Sequence, residues 1–187
     1  MEGYSLKKFL QSPINPFQLP YVLLVLAGIG FLDALYLAIE HYHNVIPPCT
    51  LHGCDLVLTS SFSTLWGLPI SVYGIAFYIA VMILSVVLIT VIPTRSFQEA
   101  SALGTKSGIQ DEGSRVKPGM TKRNLFQFLI PLLFLLCSLG FFVGIILIYI
   151  QAFVLHAFCQ YCLLSELIDF LLFDASWWLY NSQKGTV

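Results

Sequence analysis

The chain has 187 residues, of which 57% are hydrophobic, 14% aromatic and only 10% charged. A soluble domain is about half apolar and about a quarter charged, so this composition excludes a disordered chain, a nucleic-acid-binding protein and an ordinary cytosolic enzyme. The formal net charge of −1 provides no long-range attraction for anionic partners. Most of the chain is therefore expected to lie in a lipid bilayer.

Four apolar segments are long enough to cross a membrane as helices, since a crossing takes about 20 mostly apolar residues. In chain order, the predicted spans are residues 19–39, 68–92, 125–154 and 161–180. We expect a single membrane domain over residues 1–187. The first span is interpreted as an uncleaved anchor because it lacks a small-residue cleavage site. The alternative, buried helices of a soluble protein, would leave too little polar sequence to cover them.

Positively charged residues predict how these spans are oriented. All nine precede the first span, lie between the second and third, or follow the fourth: Lys7, Lys8, Arg95, Lys106, Arg115, Lys117, Lys122, Arg123 and Lys184. The positive-inside rule then places both termini and a flexible polar loop of residues 93–124 in the cytosol. Residues 41–67, called the outer loop below, are expected on the opposite face.

Four of the five cysteines lie on the predicted outer side. Cys49 and Cys54 belong to the outer loop, and Cys159 and Cys162 form a C-x-x-C at the start of the last span. A helix N-terminus favours the thiolate, and a three-residue spacing puts both sulfurs on one face. Two pairs on the side where disulfides persist favour a relay of thiol–disulfide exchange, although a structural disulfide or half of a metal site uses the same residues. Cys137, in the middle of a span, is interpreted as a packing residue.

Several motifs resemble those of the vitamin K epoxide reductase family. They are Pro48-Cys49 with Gly53-Cys54-Asp55-x-Val57-x-x-Ser60, then Trp66-Gly67-Leu68-Pro69, Val72-Tyr73-Gly74-x-x-Phe77-Tyr78 and Cys159-x-x-Cys162. In the first span, Leu32-Asp33-Ala34-x-Tyr36-Leu37 is similar to the bacterial members. The resemblance covers roughly residues 20–92 and 125–180.

The resemblance implies an all-α integral membrane protein, a four-helix bundle around a quinone site with the outer loop and a short helix as a cap. By matching position, Cys49 would take electrons from an external thiol protein, Cys54 would pass them to Cys159, and Cys162 would face the quinone. Ser60 would lie near the quinone ring. The expected acceptor is a ubiquinone or menaquinone, and no metal is expected. The expected donor is a separate thioredoxin-like protein, because the chain ends soon after the fourth span, and the expected location is a bacterial inner membrane.

Two carboxyl groups inside the spans are candidates for contact with the quinone. At a rise of 1.5 Å per residue, Glu166 lies about 6 Å below Cys162, and Asp33 of the first span reaches a similar depth. A charge in the bilayer is costly, so these groups are expected to face the bundle interior, where they could supply protons to a quinone. The alternative role is a hydrogen bond between helices. Asp169 and Asp174 are interpreted as structural.

Three other functions use the same sequence features. Animal members that reduce vitamin K epoxide have a tyrosine and an asparagine where this chain has Glu166 and Ile70, which favours quinone reduction coupled to disulfide formation over epoxide reduction. A membrane protein that binds zinc or copper would use the cysteines with the outer histidines, which are His41, His43, His52 and His156. The third is a non-enzymatic scaffold with structural disulfides.

The end of the outer loop carries large apolar side chains. Phe62, Leu65 and Trp66 predict an amphipathic stretch that lies on the outer membrane surface. It would serve as an interfacial anchor, as a lid over the quinone site, or as both.

Overall fold

The computed structural model describes residues 18–43, 45–50, 53–104 and 119–184. Long helices dominate these ranges, as the apolar spans predicted. The elements in chain order are α1 (Leu19–His43), α2 (Cys54–Thr59), β1 (Thr64–Leu65), β2 (Leu68–Pro69), α3 (Ile70–Gly104), α4 (Gly119–Tyr149), a π-helix (Ile150–Val154) and α5 (Gln160–Lys184).

The four long helices pack around one apolar core. Helix α1 contacts α3 and α5, and α4 contacts the same two helices, which closes the bundle. Its interior consists of side chains such as Leu23, Val81, Leu133 and Leu172, all fully buried. Cys137 is buried in the same core and is a free thiol, in line with its interpretation as a packing residue.

Within the part of the chain that the structure describes, three helices are long and apolar enough to cross a membrane: Leu19–His43, Ile70–Thr90 and Gln127–Val154. Their outward side chains are also large and apolar, for example Leu32, Ile83 and Leu135, which suits contact with lipid and not with water. The prediction of a helical integral membrane protein is thereby confirmed. Helix α5 is the least apolar of the four because it carries three acidic residues, Glu166, Asp169 and Asp174.

Helices α3 and α4 extend into the predicted cytosolic loop. The second span was predicted to end at residue 92, but α3 continues to Gly104, and α4 begins at Gly119. Good helix formers such as Glu99, Ala100 and Ala102 explain the continuation. Residues 105–118, with Lys106, Arg115 and Lys117, lie outside the described residues. So do Lys7 and Lys8, and the orientation inferred from these charges stays a prediction.

The apolar end of the outer loop forms a β-hairpin. Strands β1 and β2 pair antiparallel, and Trp66 and Gly67 between them have φ angles of 51° and 81°. Positive φ at both turn residues matches the twist of the paired strands. The Tyr73 hydroxyl donates a hydrogen bond to the Leu65 carbonyl (3.1 Å), which ties the hairpin to α3. Trp66 at the tip is 90% exposed, so the hairpin presents an aromatic side chain outward.

Candidate active site

The two cysteines of the outer loop form a disulfide. Cys49 and Cys54 are bonded with their Cα atoms 6.0 Å apart. Cys54 is the first residue of the short helix α2 and is fully buried, whereas Cys49 is half-buried. The pair therefore has an inner and an outer sulfur, which suits an exchange between an external thiol and the protein interior.

The C-x-x-C lies at the beginning of α5, as its position at the start of the fourth apolar run predicted. Cys159 directly precedes the helix and is fully buried, Cys162 lies one turn further along, and both are free thiols. The backbone N–H of Cys162 points at the sulfur of Cys159 (3.5 Å). The backbone N–H of Cys159 donates to Oε1 of Gln151 (3.0 Å), a buried glutamine of the π-helix. That hydrogen bond fixes the residue before the helix.

The pKa of the Cys159 thiol falls to about 7, chiefly because the Cys162 thiol donates a hydrogen bond to its sulfur. Burial opposes the shift, and the backbone N–H groups of Tyr161 and Cys162 add to it. A thiol with this pKa is largely a thiolate just above neutral pH, which is the reactive form in disulfide exchange.

The two cysteine pairs meet in one buried cluster. Cys54, Val57, Ala157 and Cys159 are packed together, and Cys49 and Cys162 are partly buried against them. Close approach of two main chains makes this possible. A Cβ added at Gly53 would lie 2.8 Å from both the N and the O of Phe158, a separation that real Cβ atoms do not reach. Only glycine fits before Cys54, and the site depends on that fit.

Polar side chains continue below the C-x-x-C inside the bundle. Ser165, one turn after Cys162, donates to Oδ2 of the buried Asp33 (2.5 Å). This hydrogen bond puts Asp33 level with residue 165 and therefore at the depth of Glu166, as the sequence predicted. Glu166 lies against Gly144 of α4, where a Cβ would overlap its carboxylate.

A second hydrogen bond joins α3 to α5 at this depth. The Tyr78 hydroxyl lies 2.9 Å from Oδ1 of Asp169 and 3.4 Å from the Ser165 carbonyl. The structural interpretation of Asp169 agrees with this contact. The sequence analysis quoted Tyr78 within a motif but gave it no role, and it did not name Ser165, because a tyrosine or serine in an apolar span gives no signal of its partner. Nor does the sequence indicate that Gln151 accepts a hydrogen bond from the backbone of Cys159.

Ser60 lies at the end of α2. Its hydroxyl donates to the Val57 carbonyl (2.8 Å), and its carbonyl accepts from the Ser63 hydroxyl (2.8 Å). These bonds shape the chain between α2 and the hairpin. The contact between Ser60 and a quinone stays a prediction.

The metal-binding alternative gains no support from the described residues. Among them, no three His, Cys, Asp or Glu side chains come together as a group that could hold a metal ion. His41 and His43 end α1, and His156 lies before the C-x-x-C with a φ of 49°. His52 lies outside the described residues.

A bundle of apolar helices with two cysteine pairs at one end defines a helical integral membrane protein equipped for thiol–disulfide exchange. The model of the vitamin K epoxide reductase family matches residues 21–177. That match covers most of the chain, and the chain belongs to this family. No curated protein matches it. Membership makes the protein an oxidoreductase of a family that acts on quinones, which excludes the scaffold interpretation.

Proposed function

We propose that this protein is a membrane thiol–quinone oxidoreductase that relays electrons from a thioredoxin-like partner to a quinone and so drives disulfide formation in the partner. Cys49 and Cys54 receive the electrons, and Cys159 and Cys162 pass them on. The observation that supports this order is the shared burial of Cys54 and Cys159, since thiol–disulfide exchange needs the two sulfurs in contact.

The internal transfer is a pair of exchange steps. With the outer loop reduced and the C-x-x-C oxidised, the Cys54 thiolate attacks the sulfur of Cys159. The bond from Cys159 to Cys162 breaks, and its electron pair stays on Cys162. The Cys49 thiolate then attacks Cys54, which re-forms the loop disulfide and leaves the electron pair on Cys159. The products are a loop disulfide and a C-x-x-C dithiol, the arrangement described above.

The second half of the reaction transfers two electrons from the dithiol to a quinone, which also takes up two protons. Cys162 is one turn further along α5 than Cys159, on the side of Ser165 and Glu166. Asp33 and Glu166 lie within one turn of it along the bundle and supply the carboxyl groups that a quinone oxygen would meet. Ser60, at the end of α2, is the proposed contact from the outer loop.

The proposal includes a membrane arrangement. Helix α5 is the fourth span, and its 25 residues extend about 37 Å at 1.5 Å per residue, enough to cross the hydrocarbon core. Both termini are cytosolic, and the cysteine pairs face the outer side of a bacterial inner membrane. The acceptor is a ubiquinone or menaquinone.

The test is an anaerobic turnover assay with the purified protein in lipid. A reduced thioredoxin-like protein serves as donor, ubiquinone and menaquinone analogues serve as acceptors, and quinone absorbance is followed. Turnover is expected with at least one quinone and none with vitamin K epoxide, because Glu166 and Ile70 replace the residues that suit the epoxide. Cys162→Ser should abolish turnover, and Cys137→Ser should retain it. Turnover by the Cys162→Ser protein at the wild-type rate would refute the relay.

A further inference from the structure

The two residues between the cysteines of the C-x-x-C hold the outer loop on both sides of Cys49. Both the oxygen and the nitrogen of the Gln160 side-chain amide form hydrogen bonds with the loop. Oε1 accepts from the N–H (3.1 Å) and the hydroxyl (2.6 Å) of Thr50, and Nε2 donates to the Pro48 carbonyl (3.2 Å). The Tyr161 hydroxyl donates to that same carbonyl (3.0 Å). Four hydrogen bonds thus fix the residues that flank Cys49.

Helix α1 supports this arrangement from the other side. The rings of Tyr161 and Tyr36 pack at a centroid distance of 5.4 Å, so the hydroxyl of Tyr161 is held in place by more than its own hydrogen bond. Gln160 and Tyr161, called the clamp below, contact the loop with side chains, while the neighbouring residues Cys159 and Cys162 carry the reacting sulfurs.

We infer that the clamp positions Cys49 for the second exchange step, in which the Cys49 thiolate attacks the mixed disulfide of Cys54 and Cys159. This inference rests on the proposed function. In the mixed disulfide, two thiolates compete. Attack by Cys49 on Cys54 completes the transfer, whereas attack by Cys162 on Cys159 reverses it. Both reactions are intramolecular, so their balance depends on the effective concentration of each thiolate at its target.

The clamp acts on only one of the two competitors. Cys162 is fixed by helix α5, but Cys49 lies on a connecting segment that is held by its contacts. When Cys49 is not bonded to Cys54, hydrogen bonds at Pro48 and Thr50 keep its main chain within reach. Loss of those bonds lets Cys49 move away while Cys54 remains packed in its buried cluster. The clamp therefore favours completion over reversal.

An equilibrium measurement isolates this effect without a quinone. In a Cys162→Ser protein, Cys54 can bond to Cys49 or to Cys159. The ratio of the two disulfides is measured by acid quenching, alkylation and peptide mapping under non-reducing conditions, after equilibration in a thiol redox buffer. That ratio reports how well Cys49 is held next to Cys54, and it is insensitive to the catalytic rate.

Removal of the clamp should shift the ratio towards the bond from Cys54 to Cys159. A hydrogen bond contributes a net factor of about twofold to tenfold. We therefore expect a shift of about threefold for Tyr161→Phe, which keeps the ring against Tyr36, and about tenfold for Gln160→Leu. Thr50→Val should give a smaller shift than Gln160→Leu, and the two together should be less than additive because they share hydrogen bonds. Tyr149→Phe, which removes the hydroxyl of an exposed tyrosine on α4, is the matched control and should leave the ratio unchanged.

The outcomes separate the clamp from the relay. If Cys49→Ser in the Cys162→Ser protein traps the bond from Cys54 to Cys159 but neither Tyr161→Phe nor Gln160→Leu moves the ratio by more than the control does, the clamp inference is overturned and the relay stands. If that bond forms in no variant, including the protein with both Cys49→Ser and Cys162→Ser under oxidising conditions, the relay itself is refuted. Tyr161→Phe changes a single hydroxyl, so it gives a result even if Gln160→Leu destabilises the fold.

Discussion

Gly53 packs directly against the backbone of Phe158. A single added methyl group at this position therefore tests how the two cysteine pairs are aligned. Gly53→Ala adds one methyl group directly before Cys54. That group would lie 2.8 Å from the backbone N and O of Phe158 and 3.1 Å from the Cβ of Ala157. Backbone atoms cannot rotate away, so the outer loop must withdraw from the segment that carries Cys159.

The size of the effect follows from the overlap. Ordinary van der Waals contact begins at 3.4 Å, so the loop must retreat by about 0.6 Å, the difference between 3.4 and 2.8 Å. A misplacement of about 1 Å can cost about a hundredfold in rate when two groups must meet in line. We therefore expect transfer from Cys54 to Cys159 to slow by about tenfold. Overpacking of this kind also costs about 1–3 kcal/mol of stability.

The assay compares two donors. With a thioredoxin-like protein donor, electrons must cross from Cys54 to Cys159, and Gly53→Ala should lose about tenfold in quinone turnover, the same factor worked out from the overlap. A small dithiol that reduces the C-x-x-C directly should support turnover close to wild type. Gly28→Ala is the matched control, because a Cβ at Gly28 meets nothing within 4 Å. Equal losses with both donors, or a Gly53→Ala protein indistinguishable from Gly28→Ala, would refute the proposed alignment.

Three further predictions concern individual groups of the relay. Cys162→Ala removes the side-chain donor and should raise the pKa of Cys159 from about 7 towards its ordinary value, so that ultraviolet thiolate absorbance develops at higher pH than in wild type; an unchanged titration would assign the shift to another cause. Cys49→Ala should lose turnover with the protein donor and keep most of it with a small dithiol, and equal loss with both would count against a relay. Glu166→Gln should lower quinone turnover by about a hundredfold or more, as loss of a general acid does, without changing the exchange between the cysteine pairs. Asp174→Asn, which alters an exposed carboxylate of the same helix, serves as its control. Similar activity of the two variants would show that Glu166 takes no part in the reaction.

Apolar runs and cysteine spacing made most of the architecture predictable. The predicted spans 19–39 and 161–180 fall within α1 and α5. An apolar segment long enough to cross a bilayer is almost always helical. The C-x-x-C at the start of α5 followed from its position relative to that run. The family resemblance was confirmed by the match over residues 21–177. Composition did not show that α3 continues to Gly104, since residues 93–104 are polar yet still favour a helix.

The contacts that complete the site were not predictable from the sequence. The bonds from Tyr78 to Asp169 and from Gln160 to Thr50 join residues 91 and 110 positions apart, and they depend on the rotation of each helix about its axis. Nearly uniform apolarity around α1, α3 and α4 gives no face that would fix this rotation. The prediction that Asp33 lies at the depth of Glu166 agrees with the structure. Depth along a helix follows from the number of residues alone, so it needs no knowledge of helix rotation.

The carboxyl groups near Cys162 differ in their hydrogen bonds, and that difference bears on which of them serves the quinone. A carboxylate at the centre of a bilayer costs at least about 2.5–3.5 kcal/mol, so such groups are usually satisfied by partners on neighbouring helices. Asp33 is bonded to Ser165 and Asp169 to Tyr78. Glu166 makes no hydrogen bond with the residues that the structure describes, although it lies only one turn from Cys162. Asp33 and Asp169 therefore join α1 and α3 to α5. We propose Glu166, which is free of such a bond among the described residues, as the carboxyl group that donates a proton to a quinone accepting electrons from Cys162.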